Sequence, residues 1–426
     1  MDNQALIAII IFLITYAVII SERIHRTIIA IFGGILLIMF RVIDQETAIH
    51  HIDFNTIGLL IGMMIIVSIT AQTGVFKFLA IKTAKIAKGD PIRILILLAL
   101  LTAFASAILD NVTTVLLVVP VTISITSKLK VNPFPYLISQ ILASNIGGTA
   151  TMIGDPPNIM IGSAVKELSF IAFIDNLTII SLIVLAITVA IFALIYKKQL
   201  KTTDALRHEL MKSDERLELT DSVLLTKSLL VLAITITGFF VHQYIHIESA
   251  TIALFGAFLL LLITGEEHLE YSLERVEWTT LFFFVGLFVI VGGLVETGVI
   301  SSLAKNALEL TQGNLEKTTF LILWVSAIAS AFVDNIPFVA TMIPLIQEMG
   351  NMGITNLEPL WWSLALGACL GGNGTLIGAS ANLVVAGLAA AEGHKITFVK
   401  FLLIGFPLMI LSIVISSIYI YLRYLL

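Results

Sequence analysis

The sequence predicts an all-α polytopic membrane protein made of two inverted-topology repeats, each with five crossings including one broken helix, plus one helical hairpin. Three observations predict it. Of 426 residues, 58% are hydrophobic and only 12% charged, about half the charge of a typical soluble domain. Apolar stretches of about 20 residues, the length that crosses a bilayer, recur along a chain whose mean hydropathy is +1.03. The second half also repeats the first residue by residue. Together these exclude a water-soluble fold. The net charge of −5 offers no basic field for nucleic acid, so the partner the chain demands is a lipid bilayer.

The first-half runs lie at 5–20, 27–43, 56–71, 92–127, 136–161 and 174–196. The opening run is flanked by Asp2 rather than Lys or Arg; it lacks the basic start of a secretory signal and reads as the first membrane helix. At 197–222 hydropathy collapses into KKQLKTTDALRHELMKSDERLELTDS, a charged linker with local helical character. Runs resume at 223–245, 251–264, 279–295, 318–346, 360–391 and 398–422. The expected division is therefore a first repeat at 1–196, a cytoplasmic linker at 197–222 and a second repeat at 223–426.

From about residue 52 to 162, adding 224 to a residue number lands on its counterpart without a gap. Thr73-Gly74-Val75 matches Thr297-Gly298-Val299, Asp110-Asn111 matches Asp334-Asn335, Pro120 matches Pro344, Gly147-Gly148 matches Gly371-Gly372, and Asn158 matches Asn382. This is an internal duplication. Five crossings per copy would invert the second relative to the first. With both termini outside, 19 of the 24 Lys and Arg fall on the cytoplasmic side, leaving Arg41, Lys166, Lys305, Lys317 and Arg423 outside, the expected positive-inside bias. One matched segment reads VFKFLAIKTAKIAKG in the first copy and VISSLAKNALELTQG in the second, basic only where the topology puts it inside.

Ionisable groups within membrane segments cost a few kcal/mol each and mark function by default. Asp110 and Asp334 interrupt the two long runs at matched positions, each followed by Asn. Such a pair suits a helix–turn–helix tip, its side chains satisfying backbone groups that the turn leaves unpaired. Capping of the exit helix is the structural alternative; recurrence at equivalent depth near a pseudo-twofold axis favours ion binding. A second constellation runs from Ser144 to Asn158 through Asn145, Gly148, Thr151 and Asp155, mirrored by Gly371 to Asn382 through Asn373, Thr375 and Ser380. Gly, Thr and Asn at this density predict unwound loops inside broken helices, presenting carbonyls and half-helix N-termini to a solute. Close packing through small residues would explain the glycines alone.

Asp155 breaks the symmetry, since its counterpart is Ala379. Preceding two prolines, it fits a helix N-cap as well as an ion ligand. The candidate binding residues are Asp110, Asn111, Thr113, Asn145, Gly148, Thr151, Asp155, Asn158, Asp334, Asn335, Asn373, Thr375, Ser380 and Asn382, with Na+ at Asp110, Asn111, Asp334 and Asn335. The eight histidines fall in loops or at span ends and suggest neither a relay nor a metal site, and Cys369, the single cysteine, can form no internal disulfide. With carboxylates and neutral oxygens but no Lys or Arg near the motifs, the expected cargo is a cation, a proton-exchanged ion or a neutral polyhydroxyl solute, with dicarboxylates disfavoured.

The strings LDNVTTVLLVVP, NIGGTATMIGDPPN, VDNIPFVATMIP and LGGNGTLIGASAN resemble those of the ArsB/NhaD permease family of the ion transporter superfamily, closest to its P protein-like subgroup, over nearly the whole chain. The resemblance implies re-entrant hairpins tipped by Asp110-Asn111 and Asp334-Asn335, facing broken helices at 147–158 and 371–382. It also implies a homodimer with elevator-type alternating access. Arsenite pumps of that family carry Asn-Asp at the first tip where this chain has Asp110-Asn111, and the family also includes Na+/H+ antiporters.

The expected function is secondary active transport in an inner cell membrane, with H+ or Na+ as coupling ion and no cofactor. Arsenite or antimonite efflux and Na+/H+ antiport are the specific forms. No G-x-x-x-x-G-K-[ST] string occurs, so energy would come from an ion gradient or a separate ATPase subunit. Two membrane aspartates also admit an intramembrane aspartyl protease, disfavoured by their duplicated Asp-Asn setting, and a passive channel is the remaining rival. Neutralising Asp110 or Asp334 is expected to abolish coupled flux.

Overall fold

Loop carboxylates and hydroxyls set where the apolar runs become helices. Asp53 accepts from the backbone N–H groups of Asn55 and Thr56, Asp90 from Arg93, Asp221 from Val223 and Leu224 and Thr397 from Lys400. Each satisfies donors that a helix start leaves unpaired. The computed structural model describes residues 3–21 and 23–426; Asp2, the acidic flank of the first run, lies outside them. No strand occurs among the described residues.

The first half contains α1 (Asn3–Ser21), α2 (Arg26–Met39), α3 (Gln45–His50), α4 (Phe54–Gln72), α5 (Val75–Ile86), α6 (Pro91–Ile108) and α7 (Asn111–Lys128). It continues with α8 (Phe134–Thr149), α9 (Pro156–Ala164), α10 (Phe170–Phe173) and, after a π-helical turn at Ile174–Thr178, α11 (Ile179–Tyr196). The connecting stretch forms α12 (Asp204–Met211) and a 3-10 turn at Glu215–Glu218. The second half contains α13 (Ser222–Val241), α14 (Ser249–Thr264), α15 (Leu269–Arg275), α16 (Trp278–Glu296), α17 (Val299–Thr311), α18 (Leu315–Phe332), α19 (Asn335–Asn351), α20 (Glu358–Gly371), α21 (Ser380–Ala391) and α22 (Phe398–Ile420).

Among the described residues, nine helical stretches are long and apolar enough to cross a membrane, with α2, α14 and α21 as shorter apolar helices. Leu13, Phe32, Leu182, Leu194, Phe255 and Leu262 are all more than half exposed, whereas Gln140, Asn145, Asn158 and Asn382 are fully buried. Apolar outside and amides inside reverses the usual soluble pattern and suits a lipid surround. The two long runs at 92–127 and 318–346 each fold back on themselves, α6 onto α7 across Leu109-Asp110 and α18 onto α19 across Val333-Asp334. The glycine-rich constellations are unwound as expected, separating α8 from α9 and α20 from α21.

Packing exchanges partners between the halves. α2 lies on α16 and α14 on α4, while the exit helix α7 packs on α21 and its counterpart α19 on α9. Glycine permits the first two crossings: a Cβ at Gly62 would lie 2.4 Å from the carbonyl carbon of Ala253, and one at Gly286 would lie 2.5 Å from that of Ala30. Backbones meet there as they do at small-residue membrane crossings.

The charged linker is docked rather than free. Lys85 pairs with Glu215, Thr220 N–H donates to Thr73 O at 3.1 Å, Thr202 Oγ1 donates to Leu129 O at 2.7 Å, and Arg207 lies 3.6 Å from Asp90. One strap thus gathers the end of α4, the end of α5, the start of α6 and the end of α7 at one end of the molecule. These are the elements the charge count assigned to a common side.

Candidate functional site

The two hairpin tips meet at a single carboxylate. Asp155 precedes α9, is 1% exposed, and its Oδ1 accepts from Asn111 Nδ2 at 3.3 Å and from Asn335 Nδ2 at 3.5 Å. Asn111 opens α7 and Asn335 opens α19, so one oxygen ties together the first tip, the second tip and the first helix break. Its other oxygen, Oδ2, is buried with no hydrogen-bond partner among the described residues. An unpaired carboxylate oxygen at such depth is costly, and a cation or a proton on it removes the cost.

Amide side chains extend the junction into the second half. Asn145 on α8 accepts from Asn111 at 3.1 Å and donates to Asn373 Oδ1 at 2.9 Å and to Asn382 Oδ1 at 3.0 Å. Asn145 is therefore the hub between the two broken helices. The loops themselves are held by matching bonds 224 residues apart. Asn158 donates to Thr151 O at 2.9 Å and Asn382 to Thr375 O at 2.9 Å. Thr151 Oγ1 donates to Ala107 O at 2.6 Å, and Thr375 Oγ1 does the same to Ala331 O. Ser106 reaches Ser144 O and Ser330 reaches Ala368 O. Thr151, Asn158, Thr375 and the amide of Asn382 thus build the loops, and Gly148 sits where a Cβ would be 2.5 Å from Gly154 O.

Asp110 and Asp334 do not behave alike. Asp110 caps α7, accepting from Thr113 N at 2.8 Å and from Thr113 Oγ1; it makes no ion pair among the described residues. Asp334 caps α19 through Ile336 N at 3.1 Å. It also pairs with Arg26 and accepts from Ser380 Oγ at 3.0 Å. This corrects the expectation that no Lys or Arg approaches the motifs. Arg26 was read as a cytoplasmic flanking charge; the start of α2 instead delivers it to a residue 308 positions away. Nothing local in the sequence signals that approach.

Glu277, just before α16, is a second residue the sequence reading missed. It lines a cavity of about 20 Å³ together with Arg26, Asp110, Asn111, Asp155, Asn335 and Ser380, room for about one water or bare ion. Three carboxylates, Asp110, Asp155 and Glu277, thus share this cavity with Arg26, whose guanidinium pairs with a fourth, Asp334. At the N-cap position of α9, Asp155 makes no capping bond, which removes that alternative reading of its role. Cys369 is buried with Sγ 3.5 Å from Asn158 Oδ1.

Comparison with known proteins fits this architecture. The family model described as citrate transporter (CitMHS) matches residues 16–367. The chain belongs to that family. It is 43% identical over 427 residues to an uncharacterized transporter, Rv2684, of Mycobacterium tuberculosis, covering 99% of each. To the P protein of Homo sapiens it is 34% identical over 500 residues, covering 98% of this chain and 60% of that protein. Its fold is similar to the crystal structure of the YdaH transporter of Alcanivorax borkumensis, with a TM-score of 0.61 at 13% identity, covering 99% of this chain and 98% of that one. The chain is a secondary membrane transporter of the citrate transporter and ArsB/NhaD type, and not an enzyme, so the protease reading gives way.

Proposed function

We propose that the chain is a secondary active transporter in which Na+ and H+ compete for Asp155, and that the gradient of the bound cation drives a small polar solute across the membrane. The observation that carries this is Asp155, which lines an ion-sized cavity where both hairpin tips converge and whose Oδ2 has no hydrogen-bond partner among the described residues. The surplus of carboxylates over the single guanidinium calls for positive charge in that cavity, because burying unpaired charge in low dielectric is prohibitive. In this reading the exchange chemistry moves from Asp110 and Asp334, whose oxygens cap helices, to Asp155.

Inverted repeats with re-entrant hairpins, both termini outside, a cytoplasmic linker and elevator-type movement within a homodimer in the inner membrane complete the proposal. The duplicated hydrogen bonds and exchanged packing partners support the repeats. An ion gradient supplies the energy, with a separate ATPase subunit as the alternative source. Na+/H+ antiport is the minimal activity. Arsenite, antimonite and, from the description of the family, citrate are the solutes to test. Proteoliposomes holding the purified chain, given imposed pH and Na+ gradients, would be assayed for Na+, Li+, arsenite and citrate flux. Uphill movement of any of them coupled to Na+ or H+ is the expected result. Flux that only follows its own gradient would make the chain a passive channel.

A further inference from the structure

The two halves of the site carry charge differently. In the first half, Asn111 donates to Asp155, whose Oδ2 has no hydrogen-bond partner among the described residues, and Asp110 lines the same cavity. Adding 224 gives Asp334, Asn335 and Ala379, so the second half lacks the bare carboxylate. There, Asp334 Oδ2 and Ser380 Oγ converge on Arg26 Nη1, the latter at 2.8 Å, and the guanidinium lies over the Phe283 ring, 4.9 Å from its centroid. Arg26 itself has no basic counterpart: Ile29-Ala30-Ile31-Phe32-Gly33 aligns with Ile252-Ala253-Leu254-Phe255-Gly256, which sets Ser249 opposite Arg26. Accordingly Asp110, the mate of Asp334, makes no ion pair among the described residues.

We propose that Arg26 is a tethered cation that holds the place beside Asp334 a second cation would otherwise take, so that each chain binds a single mobile cation per cycle. A guanidinium carries the same unit charge as Na+ and is held beside Asp334 by the chain, at an effective concentration a free ion must exceed to displace it. One nitrogen, Nη1, meets the carboxylate and the Ser380 hydroxyl together, the two oxygens a free cation there would also take. Asp155 has no such tenant. Arg26 is thus a residue that sets stoichiometry, acting through Asp334 rather than by touching cargo.

This inference rests on the cation reading of Asp155, and one assay separates the two. Binding of radioactive sodium to the purified full-length chain at alkaline pH would be titrated for the wild type, Arg26→Met, Arg26→Lys and the double variant Arg26→Met with Asp334→Asn. The expected wild-type result is one Na+ per chain with a Hill coefficient of about 1. Arg26→Met should bind two, Arg26→Lys one, and the double variant one again. A second Na+ already present in the wild type, or a single unaltered site in Arg26→Met, overturns the role of Arg26 and leaves Asp155 standing. No Na+ bound by the wild type overturns both. Because the wild-type count is itself decisive, misfolding of a variant leaves the inference testable.

Discussion

Asp110 and Asp155 are both buried acids beside helix starts, yet their oxygens meet different partners. Thr113 engages both oxygens of Asp110, the work of an N-cap, and asparagine caps as well as aspartate. Asp110→Asn should therefore keep cation-coupled flux within a few-fold of wild type in proteoliposomes. Asp110→Ala, which removes the cap, should cost about 1 kcal/mol, read as a lower unfolding temperature. Loss of all flux in Asp110→Asn would return the chemistry to the tips. The special status of Asp155 was legible as a carboxylate within the glycine-rich constellation that the duplication did not copy. Its unpartnered oxygen was not legible, because that depends on where Asn111 and Asn335 arrive from two separate hairpins. Arg26 was less legible still, since its neighbours describe only the end of a membrane helix.

At the scale of elements, the hairpins and broken helices were readable because their signals are local: an Asp-Asn pair inside a long apolar run, and Gly, Thr and Asn crowded where a lipid-facing helix cannot continue. What the sequence did not reveal is how closely each entry helix lies on its broken partner. A Cβ at Gly147 would stand 2.1 Å from Ala103 O, and one at Gly371 would stand 2.6 Å from Ala327 O. Gly147→Ala should push α6 off α8 at a cost of about 1–3 kcal/mol, seen as reduced monodisperse yield and a lower unfolding temperature. An unchanged unfolding temperature would mean the contact is looser than described. The linker makes a second prediction. Lys85 donates to Glu215 and holds its carboxyl below the usual glutamate range, so this contribution is present above that range and is lost as pH falls through the lowered value. Protection of residues 204–220 against hydrogen exchange, taken relative to the intrinsic rate at each pH, should fall on acidification in the wild type and should be low at every pH in Glu215→Gln.

Across the whole molecule, the duplication is the feature that sequence and structure share most fully. Helix α4 becomes α16, the loop bonds recur 224 residues on, and the packing partners exchange between halves. The topology read from basic residues adds a direct test. With Cys369 replaced by alanine, a cysteine at Lys212 should react with a membrane-impermeant thiol reagent only from the cytoplasmic face, and one at Lys317 only from outside; labelling of both from one face would reject the inverted arrangement. Where the copies differ, at Asp155 against Ala379 and at Arg26 against Ser249, two similar scaffolds acquire different charges. The account therefore stands on Asp155, the carboxylate to which both hairpin tips donate. Its most direct test is sodium uptake driven by a pH gradient into proteoliposomes holding Asp155→Asn or wild-type chains at equal reconstitution. The mutant should fall to the level of empty liposomes while wild type accumulates sodium uphill, and equal accumulation by both would contradict the assignment of coupling to Asp155.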